Sequence, residues 1–507
     1  MKIAWTLLLV TCGIAYAAES DALAISANIQ AVHLPFGTVL DPMYASAASN
    51  LITGYTRCGD SATWTGHYLA AEAFRYKATQ SAAALDNIKI AIAGIKLLAD
   101  VTGINLLARC VVPMSSPFAA GIESEEIHNG IYINASAGLA WVGNTSRDQY
   151  SGALFGLAVA YDMVDDPGIK SSISQLATRL IDYVKEHNWN IVMPDGSIST
   201  TFLVRPDQIL TLLQIGRHVN SSHYSTDYDI QRVLLAGEVI APIGVEAGSD
   251  SSYFKFNLDY INLYNLVRLE SSSTKTIFQK AYDILRAHTA GHQNAFFNMI
   301  DRGLNGPNAA RDAETLALLD AWLQRPRRDN AVDLHGTVPV CGDQACQPVP
   351  VALRPLTDFL WQRSPFQLVS AGAGTIESPG IDYILPYWMA RFYGTVQSLT
   401  VQSSATVGSA IAPDSLASIY GPNGAAQTQQ ASTQPLPTSL GGVTVTIRDA
   451  AGVDRGAPLI YVSPGQINFV VPAGPRPASR RSQSRVATPL PQSQREAFWQ
   501  SPLRCSA

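Results

Sequence analysis

Two stretches of this chain have the composition of helices that are buried on every side. Segments 64–74 and 150–161 are apolar or small almost all round, and each opens with an aromatic residue, then serine or threonine, then glycine. A helix without a polar face is buried on all sides, so other elements must surround it. The alanines and glycines of both segments also let a neighbouring backbone approach closely.

Amphipathic segments near the apolar ones predict this surrounding layer. In segments 88–98 and 167–189, apolar residues recur every three or four positions, as on one face of a helix. Pairs of buried and amphipathic helices, five or six pairs long, fit an inner ring inside an outer ring, an (α/α)6-type toroid. An open α-solenoid is the alternative, but its repeats are shorter and more regular. Further helices of the buried type are predicted from about residue 207 and over 258–270, 311–324 and 382–392.

The composition changes near residue 398, where serine, threonine, proline and glycine rise and the helical periodicity stops. Short β-type runs separated by turn signals predict a small β-sandwich module, which has no cluster of ionisable groups and is not expected to be catalytic. These runs are 416–420, 443–447, 459–462 and 467–471. The chain is therefore expected to be mainly α. Its predicted parts are a signal peptide (1–17), a toroid domain (18–396), a β module (397–474) and an irregular Arg-rich tail (475–507).

The overall composition excludes several classes of protein. The 507 residues include 35 basic and 40 acidic side chains, with a pI near 6.0, whereas binding nucleic acid through a basic surface needs a domain pI above about 9. An apolar share of 47% excludes a disordered chain. Past Val10 no apolar run approaches the roughly 20 residues of a membrane span. We therefore expect neither nucleic acid nor a membrane span, and the oligomeric state stays open.

Residues 1–17 have the pattern of a secretory signal peptide. Lys2 precedes an apolar stretch, and Ala15 and Ala17 form an A-x-A cleavage site. A buried N-terminal helix and a lipoprotein attached at Cys12 are the alternatives. Cleavage predicts a protein that is secreted, periplasmic or at the cell surface.

Five cysteines remain after this cleavage, and an oxidising compartment predicts that they pair. Cys341 and Cys346 close a tight loop, where we expect a disulfide. Cys58 and Cys110 flank the first helical hairpin and are a plausible second pair, which leaves Cys505 over. The chain has no CxxC array and no glycine loop of the nucleotide-binding type, so we expect neither a metal nor a cofactor.

Three ordered motifs in the β module resemble the C-terminal module of many exported acidobacterial proteins, the Solibacter-type C-terminal domain. They lie at 411–421, 435–447 and 457–472. The resemblance implies an extracellular, Ig-like accessory role without chemistry. The chain departs from that family after Pro472, where an arginine-rich tail replaces further strands. A shifted reading frame or a truncation would explain the tail, and a basic tail that binds acidic surfaces is the alternative.

The helical region resembles the six-hairpin glycosidase-like superfamily in architecture, although no motif of one enzyme family matches. That superfamily contains glycoside hydrolases and polysaccharide lyases, so the resemblance implies a carbohydrate-active enzyme. Fold alone does not fix function. The second hypothesis is therefore a non-catalytic extracellular glycan-binding or cell-surface protein.

In such a toroid, the loops that enter the inner helices form a mouth at one end. Each predicted entrance carries a carboxylate beside an aromatic, amide or arginine side chain, a mixture suited to sugars. The entrances are 57–67, 144–150, 205–208, 257–260 and 377–383. The residues predicted to bind a poly- or oligosaccharide are Trp64, Arg147, Gln149, Arg205, Asp207, Gln208, Asn257 and Asp259.

A glycoside hydrolase needs two carboxyl groups, one that protonates the leaving oxygen and one that acts as base or nucleophile. Asp148 and Asp60 are the predicted pair, with Asp207 and Asp259 in reserve. The alternative is that all four are helix N-caps, for which Asp is a preferred residue. A cap does not explain why an arginine, a glutamine and a tyrosine surround Asp148.

A polysaccharide lyase instead needs a base that removes the proton beside a uronic carboxylate, and a cation that neutralises that carboxylate. Tyr150 or His67 would be the base, and Arg147 or Arg205 the cation. His67 lies on a helix predicted to be buried, where a lone histidine is more often a hydrogen-bonded core residue. The sequence does not choose between hydrolase and lyase.

Overall fold

The computed structural model describes residues 19–250, 253–356, 358–396, 400–404, 411–421, 425, 427–448, 453–473 and 503–506. The chain divides into two compact units. One is Ala22–Val396, and the other combines Met1–Asp21 with Gln397–Ala507. The predicted signal peptide and residues 474–502 lie outside the described residues.

Helices dominate the structure: about 49% of the residues are helical and 18% lie in strands, which confirms a mainly α chain. None of the described helices has both the length and the apolar character needed to cross a membrane. The described residues form α1 (Glu19–Asn28), α2 (Ser61–Thr79), α3 (Ala82–Asp100), α4 (Ala119–Glu125), α5 (Arg147–Met163), α6 (Pro167–Glu186), α7 (Pro206–Val219), α8 (Ser221–Leu235), α9 (Ile240–Glu246), α10 (Phe254–Leu269), α11 (Lys275–Thr289), α12 (Ala295–Asn305), α13 (Ala309–Trp322) and α14 (Ile381–Phe392).

Six helices of the larger unit contact one another in a closed order. α2 contacts α5, α5 contacts α7, and the order continues through α10, α12 and α14 back to α2. The first five also contact the helix that follows each of them in the chain, namely α3, α6, α8, α11 and α13. We call these six helices the inner helices, and the end at which they begin the mouth.

Burial distinguishes the inner helices from their partners. α2 and α5 are buried over most of their length, as their composition predicts. α6 buries one stripe that includes Ile169, Ile173 and Leu180, while its other faces reach solvent. The period of the apolar residues in the sequence therefore identifies both kinds of helix correctly in the first half of the chain.

The prediction of a buried helix over 311–324 is wrong. Most of this segment belongs to α13, which buries a stripe that includes Thr315, Leu319 and Trp322 and exposes other faces. The shorter α12 is buried throughout 295–301 and contacts both α10 and α14. The fifth inner helix is therefore α12, and α13 is its amphipathic partner.

α2 and α5 meet backbone to backbone at their glycines. A Cβ atom on Gly66 would lie 1.9 Å from the carbonyl O of Gly152, and one on Gly156 would lie 2.2 Å from the carbonyl O of Gly66. No side chain fits at these positions. The contact explains why both segments begin with the same small residues, and it brings the N-terminal turns of the two helices together at the mouth.

Short sheets connect the helices of the larger unit. One has the strand order β2-β1-β11-β8 and another the order β3-β5-β4, while β6–β7 and β9–β10 are two-stranded. The strands of this unit are β1 (Asp41–Tyr44), β2 (Ile52–Thr56), β3 (Cys110–Pro113), β4 (Ile131–Asn134), β5 (Leu139–Val142), β6 (Asn190–Val192), β7 (Ile198–Thr201), β8 (Arg328–Asp333), β9 (Val340–Cys341), β10 (Gln344–Ala345) and β11 (Val369–Glu377).

The second unit contains two sheets that share one hydrophobic core. Their orders are β12-β13-β19-β18-β14 and β15-β16-β17, with β20 beside β16. The core combines Ile419 and Phe469 from the first sheet with Val445 from the second. The strands are β12 (Thr400–Ser403), β13 (Leu416–Tyr420), β14 (Gln429–Gln430), β15 (Ser439–Leu440), β16 (Val443–Arg448), β17 (Asp454–Gly456), β18 (Leu459–Ser463), β19 (Gln466–Val470) and β20 (Leu503–Ser506).

The four predicted β-type runs coincide with β13, β16, β18 and β19 to within one residue at each end. β20 lies in the predicted irregular tail, and its backbone pairs antiparallel with β16. These four residues of the tail therefore form regular structure, contrary to the prediction.

Both disulfides considered from the sequence are present. Cys341 and Cys346 join the hairpin β9–β10, and Cys58 and Cys110 join the turn before α2 to β3. The second bond ends two residues before Asp60, so it anchors the first entrance of the mouth.

Candidate active site

Asp60 and Asp148 lie at the starts of two inner helices that are tied together at the mouth. Asp60 directly precedes α2, and Asp148 is the second residue of α5. The guanidinium of Arg109 donates to the carbonyl O of Gly59 (2.8 Å) and to Oγ of Ser146 (3.2 Å). It also lies 4.0 Å from Oδ1 of Asp60. Arg109 therefore holds the two predicted acidic residues on adjoining loops.

The carboxyl groups of Asp60 and Asp148 interact through their charges. Burial, together with the Asp148 carboxylate, raises the pKa of Asp60 from 3.8 to about 6, against the opposing charges of Arg109 and Arg57. The side chain of Asp60 is still 35% exposed, so its carboxyl group can reach a bound molecule. A carboxylic acid that keeps its proton to near pH 6 beside a second carboxylate is the arrangement of a general acid and its partner.

The four predicted aspartates do not cap their helices. Asp60 occupies the N-cap position of α2, but its side chain accepts no capping hydrogen bond. The carboxylate of Asp148 accepts a hydrogen bond from Oγ of Ser146, and those of Asp207 and Asp259 accept hydrogen bonds from one arginine. The N-cap interpretation is therefore wrong, and the carboxylates serve other contacts at the mouth.

Two neighbours of Asp148 have structural roles. Oε1 of Gln149 accepts the backbone N–H of Ser146 (2.8 Å), which caps α5. The hydroxyl oxygen of Tyr150 accepts the backbone N–H of Leu107 (3.2 Å), and burial raises the pKa of Tyr150 above its usual value of 10. Both side chains are fully buried. This placement does not support substrate binding by Gln149 or base catalysis by Tyr150.

A second acidic group surrounds Arg205 at the start of α7. The guanidinium donates to both carboxylate oxygens of Asp207 (2.9 and 2.8 Å), to Oε1 of Glu246 (2.8 Å) and to Oδ1 of Asp259 (2.5 Å). Asp207 and Asp259 are fully buried. Since four of the five N–H groups of an arginine are engaged here, Arg205 is poorly placed to neutralise a substrate carboxylate.

Glu246 and Asp259 lie close enough to interact within this second group. Burial raises the pKa of Asp259 well above its usual range despite the charge of Arg205, and Glu246 adds to the increase. The neutral form of Asp259 is therefore favoured, and its carboxyl group can donate to Glu246, whose side chain is 25% exposed.

Arg147 interacts with both acidic groups. Its Nη1 donates to the carbonyl O of Thr201 (2.7 Å). Burial and the charge of Arg205 lower its pKa, while Asp148 and the carboxylates beside Arg205 act in the opposite direction. Among the described residues Arg147 makes no close ion pair, and its side chain is half-buried. It is therefore the cation at the mouth that is best placed to bind a ligand.

Arg57 and Asp358 lie close enough to Asp60 to affect its pKa, and neither was among the predicted site residues. Nε of Arg57 lies 3.0 Å from Oδ2 of Asp41, and its Nη1 lies 2.5 Å from Oδ1 of Asp358. Arg57 has a φ of 65°, a left-handed conformation that is uncommon for a residue with a side chain. Its position in the first entrance was a usable signal, whereas nothing in the local sequence marks Asp358.

Side chains fill the space between the inner helices beneath the mouth. Nε2 of His67 on α2 lies 3.3 Å from Oδ1 of Asn257 on α10, and Nδ1 of His67 lies 2.9 Å from the carbonyl O of Thr63. Burial lowers the pKa of His67 to about 4. His67 is therefore a neutral, hydrogen-bonded core residue and is not exposed as a lyase base would be.

Two predicted substrate-binding amides are buried in the same region. Both polar atoms of Gln208 and Nδ2 of Asn257 have no hydrogen-bond partner among the described residues. A buried polar group without a partner destabilises a protein by about 1–3 kcal/mol. Neither amide reaches the protein surface, so neither binds a ligand there in this arrangement.

Aromatic side chains from another segment cover Trp64. Its ring packs edge to face on Phe359, with 4.7 Å between centroids, and on Phe254 at 5.7 Å, while Trp361 lies 6.3 Å away. Trp64 is only 2% exposed. A sugar ring therefore has no free face of Trp64 on which to stack, contrary to the prediction. The segment 358–361 thus brings Asp358 to the acidic pair and also closes the space below that pair.

Neither the protein-family models nor the curated proteins compared with this chain include a match. The two resemblances drawn from the sequence therefore stay proposals. Asp60, Arg147 and Asp148 are each half-buried, so solvent reaches all three at the mouth. This set offers a proton donor, a carboxylate and a cation on one surface.

Proposed function

We propose that this chain is an exported carbohydrate-active enzyme, specifically a glycoside hydrolase, with its site at the mouth of an (α/α)6-type toroid. The closed order of contacts among six inner helices, five of which contact the next helix in the chain, supports the toroid. The observation that carries the proposed activity is the raised pKa of Asp60 beside the Asp148 carboxylate.

The proposed mechanism divides two roles between these carboxyl groups. Asp60, protonated to near pH 6, donates its proton to the leaving oxygen of the glycosidic bond. Asp148 acts as base toward water or as nucleophile toward the sugar. Arg147, which also donates to Thr201, binds a hydroxyl or carboxylate group of the substrate.

The burial of the lyase candidates favours hydrolysis over elimination. Tyr150 and His67 are both fully buried, and neither can meet a polymer at the mouth. Arg205 is engaged by three carboxyl groups and is not free to neutralise a uronate. Asp60 and Asp148, in contrast, are both partly open to solvent.

One observation favours the second hypothesis, a non-catalytic extracellular glycan-binding or cell-surface protein. The rings of Phe359 and Trp361 cover Trp64, so no deep aromatic cleft lies below the acidic residues. Such a chain would present only the rim of the mouth to a glycan.

The proposed export rests on the signal-peptide pattern of residues 1–17 and agrees with two disulfides, which form in oxidising compartments. Two sheets around one core support an Ig-like β module, with the extracellular accessory role that the Solibacter-type resemblance implies.

The decisive experiment uses the mature chain and panels of neutral and uronic polysaccharides. Reducing ends and the ultraviolet absorbance of unsaturated uronates are followed together, for the wild type, Asp60→Asn and Asp148→Asn. Asp165→Asn is the matched control, because Asp165 is a carboxylate of the same unit with a 76% exposed side chain. We expect reducing ends without absorbance, and a loss of at least about 100-fold in both test variants but not in the control.

Other outcomes point elsewhere. Absorbance that rises with the reducing ends would replace the hydrolase with a lyase. Binding of a glycan without any turnover, unaffected by Asp148→Asn, would favour the non-catalytic protein.

A further inference from the structure

A group of ionisable side chains separate from the acidic groups of the mouth consists of residues that lie between α9 and the start of α12 in the chain. Asp250 precedes α10, His288 lies in the last turn of α11, and His292 lies three residues after that helix ends. One ligand atom from each of the three residues can be chosen so that all three lie within 4.8 Å of one another. Two elements far apart along the chain thus bring two imidazoles and a carboxylate together.

One nitrogen in this group has no partner. Nδ1 of His292 is buried and makes no hydrogen bond among the described residues, and His292 as a whole is only 6% exposed. Nε2 of His288 lies 2.9 Å from Oδ1 of Asp250, so these two ligand atoms are already adjacent. A buried nitrogen without a partner is disfavoured by about 1–3 kcal/mol unless it finds one. Coordination to a metal ion is one way in which a buried imidazole nitrogen gains a partner.

The surroundings of the group suit such a site. The ring of Tyr253 lies 5.7 Å from that of His292, and the ring of Phe366 lies 5.3 Å from it on an edge-to-face approach. An apolar shell limits competition by water and holds imidazole ligands in place. The carbonyl O of His292 accepts a hydrogen bond from Arg354 (3.0 Å), which fixes the backbone of this ligand.

We propose that Asp250, His288 and His292 bind a first-row divalent metal ion, with Zn²⁺ as the best match. Imidazole nitrogen and carboxylate oxygen are ligands that Zn²⁺ accepts at about 2.0–2.2 Å, so the three side chains must adjust their positions on binding. Three protein ligands leave one position of a tetrahedral ion for water. The proposal is independent of the hydrolase proposal, which uses none of these residues.

Two positive charges oppose the metal ion and limit its affinity. Arg354 and Arg286 both lie close enough to affect His292 electrostatically. Each is held by other oxygens, since Arg354 donates to the carbonyl O of Val349 and Arg286 donates to Oδ1 of Asn298. Direct coordination by the three side chains must therefore offset the repulsion from these two arginines.

The test measures binding of Zn²⁺ by the mature, untagged chain after treatment with a chelator. Equilibrium dialysis with metal analysis gives stoichiometry and affinity, and Co²⁺ absorption reports the ligands directly. The test variants are His292→Ala and Asp250→Asn. The control is His335→Ala, because His335 and Asp333 form a similar pair (2.7 Å) on the surface and have no third ligand in the described part of the chain.

We expect one equivalent of Zn²⁺ per chain, affinity reduced by at least about 10-fold in both test variants, and no change in the control. The Co²⁺ spectrum should change in the same two variants. Absence of stoichiometric binding, or equal binding by wild type and both variants, would overturn the proposal. If His292→Ala fails to fold by circular dichroism, Asp250→Asn decides, because half-buried Asp250 is the more tolerant position.

Discussion

At the scale of single residues, Arg205 balances three carboxyl groups with one positive charge. Asp207 accepts two of its hydrogen bonds, while Asp259 accepts one and has its pKa raised by burial and by Glu246. The two buried aspartates therefore differ, because Asp207 forms a two-bond pair with the guanidinium whereas the raised pKa of Asp259 favours its neutral form.

This difference predicts unequal effects of the same substitution. Asp207→Asn removes a buried charge that pairs with Arg205, which should destabilise the protein by about 3 kcal/mol. Asp259→Asn replaces a neutral acid with a neutral amide that still donates to Glu246, so the loss should be about 1 kcal/mol or less. Denaturant unfolding at pH 7 measures both values. Equal losses would mean that Asp259 is ionised.

The pKa of Asp60 predicts the pH dependence of the proposed hydrolase. As general acid, Asp60 must be protonated, so activity should fall above about pH 6 by about tenfold per pH unit. The charge of Asp358 raises the pKa of Asp60, and the charge of Arg57 lowers it. Arg57 forms an ion pair with Asp358. Asp358→Asn should therefore move the alkaline limb to lower pH. The measurement is the pH profile of kcat/KM, and a limb shared unchanged by wild type and variant would exclude this role for Asp60.

The sequence could predict only part of the mouth. Asp60, Arg147 and Asp148 stand at helix entrances, where a local pattern marks them. Glu246 and Asp358 come from a short helix and a long loop, and their partners are distant along the chain, so only the tertiary structure brings them in. His288 and His292 are four residues apart, but no local pattern links them to Asp250, which is distant along the chain.

At the scale of elements, the small residues of α2 and α5 indicated a close approach of the two helix backbones, and the structure contains it. A Cβ on Gly152 would lie 2.7 Å from Cα of Thr63, and one on Gly66 would meet the carbonyl O of Gly152 at 1.9 Å. The two helices cannot keep this distance with any residue but glycine at these points.

Gly66→Ala should therefore destabilise the protein by about 1–3 kcal/mol, although alanine favours a helix more than glycine does. Thermal and denaturant unfolding provide the measurement. Gly121→Ala is the matched control, because Gly121 also lies in a helix but has nothing within 4 Å of its would-be Cβ. The control should be neutral or slightly stabilising, and a similar loss in both variants would contradict the backbone contact.

Helix type was predictable where the pattern was long and regular. α2, α5 and α6 each extend over four or more turns, so their apolar period or its absence is clear. α12 has only 11 residues and mixes asparagine and aspartate with its apolar residues, while α13 is rich in alanine. In this part of the chain tertiary contacts decide which helix is buried. The sequence pattern therefore assigned the buried role to α13, although α12 has it.

At the scale of the whole molecule, two units each contain a hydrophobic core of their own. The core of the β module consists of residues between 417 and 471, and the inner helices belong entirely to Ala22–Val396. Strands β13, β16, β18 and β19 were predictable because each is a short β-type run that follows a turn signal. The predicted boundary near 396 separates these two cores.

Two separate cores predict that the helical unit folds without the β module. Calorimetry of the mature full chain should resolve two transitions, and a chain that ends at residue 396 should keep the larger one at an unchanged temperature. Because unfolding enthalpy is about 0.7 kcal/mol per residue near 60 °C, the helical transition should be roughly five times the other. Loss of the larger transition in the shortened chain, or a fall of more than about 5 °C in its midpoint, would mean that the helical unit depends on the module for its stability. An unchanged midpoint would allow the polysaccharide assays to be run on the helical unit alone.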